Sequence, residues 1–158
     1  MDAAKLPLKE KWSMWFHRLD DNDWSIRSYR LVYTFSTVQD FWRMANSLPP
    51  VYSGLFFLMK EGVQPMWEHE SNKNGAIWSF RVAAKKKLHE VWNDLLVRLV
   101  GNTLVPDDEL VNGVSINPKN FVIKVWLREH PGDGATCDVS DKIPHLQPER
   151  ALLLRART

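Results

Sequence analysis

The sequence of 158 residues holds a single cysteine, Cys137. No disulfide framework is available to it, and its thiol chemistry fits a reducing compartment such as the cytoplasm. Long hydrophobic runs are missing as well. Although 44% of the chain is hydrophobic, no stretch approaches the ~20 apolar residues of a membrane helix. Neither sign of charge dominates: 21 lysines and arginines face 19 acids, a formal charge of +2. That excludes a polycation that coats nucleic acid indiscriminately, so any nucleic-acid contact should be local and chemically specific. Glycine is scarce, and no Gly-rich loop ends in Lys-Ser/Thr to cradle a phosphate. No Gly-x-Ser-x-Gly turn presents a nucleophile. His17, His69, His89, His130 and His145 lack metal-ligand spacing. Nothing in the sequence points to an enzyme or a cofactor. The first ten residues are polar and mixed in charge, and read as no signal peptide.

What the chain does have is tryptophan, eight residues at positions 12, 15, 24, 42, 67, 78, 92 and 126. That exceeds what filling one small core normally requires. Their placement is the useful question.

Hydrophobic periodicity locates the elements. Tyr29 to Phe35 alternates with period two, as a half-buried strand does. Thr37 followed by Asp40 reads as a helix start, with Val38, Phe41, Trp42 and Ala45 at helical spacing and Pro49-Pro50 as the stop. Leu55 to Met59 and Ile77 to Val82 are short apolar strands. Between Ala84 and Val100, the residues Leu88, Val91, Trp92, Leu95, Leu96 and Leu99 form a helical stripe that must lie on something apolar, and Gly101 should close it. Phe121 to Leu127 is a further strand, with Ile123, Val125 and Leu127 on one side and Val122, Lys124 and Trp126 on the other. Pro131-Gly132-Asp133-Gly134 reads as a loop, Pro144 and Pro148 as breaks, and Glu149 to Arg155 as a short helix. The order predicts one α+β domain over residues 1–158: a curved, largely antiparallel sheet with helices on its convex face and the concave face free for a ligand.

Two tryptophans sit apart from this periodicity. Trp24 lies in the polar loop Asp20 to Ser25, and Trp67 in the Pro-marked, acid-flanked loop Gln64 to Glu70. Indoles on separate acidic loops suit an aromatic cage for a cation, where each ring face contributes up to ~2 kcal/mol. Spacing alone also allows each ring to fold onto its own local cluster. Glu68 follows Trp67, and its carboxylate has the geometry to accept two hydrogen bonds from a guanine edge. It also reads as a solvated loop acid. Trp126 either packs under a helix or touches a ligand. Lys119, Lys124 and Lys73 are candidates for phosphate contact or ordinary surface lysines. The run Lys85-Lys86-Lys87 suits a nucleic-acid backbone, an acidic partner or a solvated face. Trp42 is either core or an exposed anchor for a partner helix.

Four segments carry a resemblance: Lys11-Trp12-Ser13-Met14-Trp15-Phe16, Thr37-Val38-Gln39-Asp40-Phe41-Trp42, Gly62-Val63-Gln64-Pro65-Met66-Trp67-Glu68 and Glu90-Val91-Trp92. In order and spacing the chain resembles the eukaryotic translation initiation factor 4E family of mRNA cap-binding proteins, over about residues 6–128. The tail 129–158 diverges. The resemblance implies that Trp24 and Trp67 stack on 7-methylguanine and that Glu68 pairs with its edge. The Trp67 main-chain amide would meet the base carbonyl, Trp126 the N7 methyl and Lys119 the phosphates. Pro7, Val38 and Trp42 would receive the helical motif of a 4G-type scaffold or a 4E-binding repressor. The partners expected are therefore capped mRNA and such a protein, in translation initiation or its regulation, with no membrane. Departures mark a divergent member: Leu6 stands where the family has histidine, Asn93 stands where an apolar residue contributes to partner binding, and the segment 112–124 is short. They motivate an alternative, a protein–protein adaptor or translational repressor with weak or no cap affinity.

Overall fold

The computed structural model describes residues 4–132, 139–147 and 152–155. Seven strands run through them: β1 (Pro7–His17), β2 (Arg30–Thr37), β3 (Leu55–Lys60), β4 (Ala76–Arg81), β5 (Val111–Asn117), β6 (Val122–Leu127) and β7 (Leu152–Arg155). They form one antiparallel sheet in the order β2-β1-β3-β5-β6-β4-β7. The helices are α1 (Val38–Ser47), α2 (Leu88–Val100) and the four-residue α3 (Val139–Lys142). The architecture is the α+β sheet-and-helix arrangement that the periodicity predicts.

One face of the sheet carries the helices and the main core. Trp12, Met14, Phe56, Leu58, Val114, Ile116, Ile123 and Val125 meet the α2 stripe there, and Phe41 and Met44 of α1 join them. Every position of the predicted α2 stripe is buried, each large side chain stabilising the fold by roughly 1.5–3 kcal/mol. The opposite, open face carries a smaller aromatic cluster of Leu55, Phe57, Met59, Val63, Ile77 and Trp126, flanked by Trp15, Tyr29 and Trp67. Trp12, Trp78 and Trp92 are therefore core, whereas Trp24 and Trp42 are about half exposed.

Several expectations are corrected. β1 and β5 are additional strands. In β1 the charged Lys9 and Lys11 stand on exposed ground beside Trp12 and Met14, and the register against β2 shifts between Pro7 and Trp12. In β5 the pair Asn112-Gly113 has the composition of a turn, but it forms a bulge against β6. Gly113 is required because a Cβ there would fall on the carbonyl oxygen of Leu58 in β3. The segment Lys85–Lys87 is a single 3₁₀ turn, and α2 begins after it, consistent with lysines being unfavourable at a helix N-terminus. Asn102, not Gly101, supplies the left-handed residue at the end of α2, with the Thr103 N–H donating to the Arg98 carbonyl. The short helix expected over 149–155 is not formed at 152–155, where β7 pairs with β4. Residues 149–151, Cys137, Pro148 and the Asp133-Gly134 half of the expected loop lie outside the described residues.

The start of α1 follows its sequence signal. Thr37 is extended, and its hydroxyl accepts a hydrogen bond from the Asp40 N–H at 3.2 Å. Thr37→Ala should lower unfolding free energy by about 1 kcal/mol, measured as a shifted urea midpoint at unchanged slope. A midpoint equal to that of the parent protein would contradict this cap.

Candidate functional site

The open face holds a cavity of about 300 Å³, lined by Trp24, Tyr29, Leu55, Phe57, Pro65, Met66, Trp67, Glu68, Ser115, Ile116, Asn117, Lys124 and Trp126. Four of the five residues assigned to the base-and-phosphate site thus meet in one depression: Trp24, Trp67, Glu68 and Trp126. The fifth, Lys119, does not line it. Lys119 stands on the exposed β5–β6 turn, its main-chain N–H donating to Asn117 Oδ1 at 3.0 Å. Lys124, two positions before Trp126 on the same side of β6, forms part of the wall instead.

The loop between β3 and β4 presents Trp67 and Glu68. The buried Asn72 side-chain amide donates to the carbonyls of Gln64 and Met66, at 2.9 and 2.8 Å. Asn112, on the β5 bulge, donates in turn to the Ser71 carbonyl at 2.7 Å and to Asn72 Oδ1 at 2.9 Å. These bonds tie an irregular loop to the sheet. Among the described residues, neither the Trp67 main-chain N–H nor the Glu68 carboxylate has a hydrogen-bond partner. Both are available to a ligand.

The rings are held by different means. Trp126 is buried, and its Nε1–H donates to Ser115 Oγ at 3.0 Å. Trp67 leans on it, with centroids 5.2 Å apart. Trp24, 53% exposed, lies flat on the buried imidazole of His17, with centroids 4.0 Å apart and planes inclined by 4°. Tyr29 touches His17, Trp24 and Phe57. Burial pushes the Tyr29 hydroxyl up to about 12, with the Glu68 charge adding to it, so it is a neutral donor at physiological pH. His17, Tyr29 and Ser115 are not singled out by the sequence, because each acts through a ring or carbonyl that only the folded loops and sheet bring against it. The one available signal is the position of His17, directly after Trp15-Phe16 in a strand that was not assigned.

On the helix-bearing side, Pro7 pairs with Thr37 at the start of α1, and the Val38 N–H donates to the Leu6 carbonyl at 2.8 Å. Val38 and Trp42 lie one turn apart on α1, with Trp42 47% exposed and its ring edge on Phe41. The structure therefore gathers Pro7, Val38 and Trp42 at one end of α1. Asn93 is on α2, exposed, and bonds His89 at 3.1 Å.

Comparison with known proteins agrees with the fold. The model of the family described as eukaryotic initiation factor 4E matches residues 7–151. Eukaryotic translation initiation factor 4E of Dictyostelium discoideum is 33% identical over 149 residues, covering 89% of this chain and 59% of that protein. The chain thus spans about three fifths of that relative's length. An Ascaris suum eIF4E-3 in complex with m7G cap superposes with a TM-score of 0.75 at 27% identity, covering 82% of this chain and 77% of that one. A schistosome eIF4E complexed with m7GpppG and 4E-BP gives 0.75 at 25% identity, covering 83% and 76%.

Lys124 has no carboxylate partner among the described residues, and burial lowers its pKa below the usual 10.5. Burial therefore penalises the charged form, and the penalty is fully present below the folded-state pKa. It disappears as pH rises past the unfolded value. Lys124→Met keeps the stem and removes the charge. The variant should melt at a higher temperature than the parent at neutral pH, with the gap closing as pH approaches 10.5. Calorimetric melts across that range test the sign.

Proposed function

This chain belongs to the eukaryotic initiation factor 4E family, and we propose from the geometry of its open-face pocket that it binds the 7-methylguanosine cap at the 5′ end of mRNA. The observation that carries the reading is the convergence of Trp24, Trp67, Trp126 and the unpartnered Glu68 on one cavity. Methylation at N7 makes guanine a planar cation. Indole faces favour it over the neutral base by up to ~2 kcal/mol where water is excluded. Glu68 accepts from N1–H and the exocyclic amine, and the free Trp67 N–H donates to the base carbonyl. The positive charge on the ring strengthens both donors of the base edge. Trp126, fixed by Ser115, closes the cavity against the methyl group. Lys124 in the wall meets the first phosphates, and Lys119 on the turn beyond it meets the outer ones.

Base recognition by stacking and a carboxylate requires no bond to be made or broken, so the activity is binding. The protein acts in the cytoplasm, in translation initiation or its regulation. The exposed Trp42, with Val38 and Pro7, receives the helical motif of a 4G-type scaffold or a 4E-binding repressor. The solved schistosome relative holds a 4E-BP together with its cap ligand. The adaptor reading keeps this second surface and dispenses with the first. Its support is the displacement of Lys119 from the pocket wall and the polar Asn93 beside Trp92.

On 7-methyl-GTP resin the protein should be retained, and released by 7-methyl-GTP far better than by GTP. Equal release by both rejects methyl recognition and favours the adaptor. Trp24→Ala or Trp67→Ala should weaken binding at least about tenfold. Glu68→Ala should cost about 1.5–3 kcal/mol, the range for hydrogen bonds to a charged group. Trp42→Ala should abolish capture of a 4E-binding helical peptide while cap affinity stays unchanged. Native peptide affinity in that variant would remove the proposed surface.

A further inference from the structure

His17 ends β1 with its ring wholly buried. Its Nδ1 lies 2.7 Å from the Arg18 carbonyl oxygen, and its Nε2 lies 2.7 Å from the Asp23 carbonyl oxygen. A carbonyl oxygen only accepts. A neutral imidazole has one N–H, so its second nitrogen would press a lone pair against an oxygen at hydrogen-bond distance in a site without water contact. Turning the ring over would set C–H groups against both carbonyls. Only the imidazolium donates to both.

The surroundings suit a cation. The Trp24 indole lies parallel on the ring, and Tyr29 meets it edge-on at 4.9 Å; a tryptophan face is the best of the aromatic partners for a positive charge. The Asp23 carboxylate is within Coulomb reach of His17 and of Arg27, and it accepts the Ser25 N–H at 2.8 Å. The Asp21 carboxylate accepts the Asp23 N–H. Arg18 is paired with Asp20 at 2.8 Å. The Tyr29 hydroxyl is neutral, and β3 opposes His17 with the apolar Leu55. The acids of the loop thus balance the one buried charge.

We propose that His17 is the positioning residue of the Trp24 wall: as an imidazolium it fastens the Asp20–Ser25 loop to the end of β1 and lays a charged plate under the inner face of Trp24, so that the outer face is held flat for a ligand. Both bonds together hold the loop, and losing them frees Trp24 from its plane. The same charge repels a cationic base across the indole. Water at the half-exposed Trp24 and the Asp23 carboxylate screen that repulsion, and anchorage prevails.

The ligand part of this inference rests on the cap reading, so the test has arms with and without ligand. Nitrogen-15 NMR of the ligand-free parent protein at about pH 7 should show both His17 ring nitrogens protonated; a neutral tautomer overturns the proposal whatever the pocket binds, and no variant is needed. His17→Phe keeps a flat plate without the bonds or the charge. Amide hydrogen exchange at Trp24 and Ser25 should rise roughly tenfold in it, and unchanged exchange also overturns the proposal. Its affinity for 7-methyl-GTP, read by tryptophan quenching, should be roughly fivefold to tenfold below the parent. An affinity equal to the parent's counts against the positioning role. A parent protein that binds no 7-methyl-GTP rejects the cap reading alone, and the two ligand-free arms then decide the role of His17.

Discussion

The alternation of β6 is the constraint on which both halves of the molecule depend. Ile123, Val125 and Leu127 enter the helix-backed core, and Lys124 and Trp126 project from the same strand into the pocket. A one-residue slip would exchange the two sets. Register is held on both sides, by β5 and by β4, and the Trp126–Ser115 bond spans one of those seams. The core therefore sets the placement of the pocket's floor, while the pocket's walls come from loops that need their own supports.

Those supports differ in kind. The Trp67 loop is braced by neutral amides, Asn72 and Asn112, whose bonds are indifferent to pH. The Trp24 loop is braced by a buried imidazole ring between two carbonyls. A base that stacks between them senses whichever wall is looser.

What was legible in the sequence was local or strictly periodic. The α2 stripe, the Thr37 cap and the two-sided β6 could be read because each depends on neighbours a few residues away. Trp67-Glu68 stood out as large and charged side chains in a Pro-marked loop. β1 and β5 were illegible for opposite reasons. β1 mixes lysines with tryptophans, and its register against β2 shifts between Pro7 and Trp12. β5 carries Asn-Gly, the composition of a turn, at a point where bulge geometry and close approach to Leu58 demand it. Lys119 was favoured over Lys124 through the resemblance. Only the sheet shows that a lysine inside the strand reaches the cavity wall while one on the turn does not. His17 had only its place after Trp15-Phe16 as a signal, because its role is defined by carbonyls of Arg18 and Asp23 and by a ring in the next loop.

The same Asn112-Gly113 pair bears on the chemical lifetime of the protein. In a flexible chain, asparagine followed by glycine is prone to succinimide closure, since nothing hinders attack of the glycine nitrogen on the side-chain carbonyl carbon. Here the Asn112 amide is buried and committed to Ser71 and Asn72, and Gly113 is held in an extended ladder between β3 and β6. Ring closure requires that ladder to open. Deamidation at this position is thus tied to unfolding, and an isoaspartate formed there would unseat the loop that carries Trp67 and Glu68.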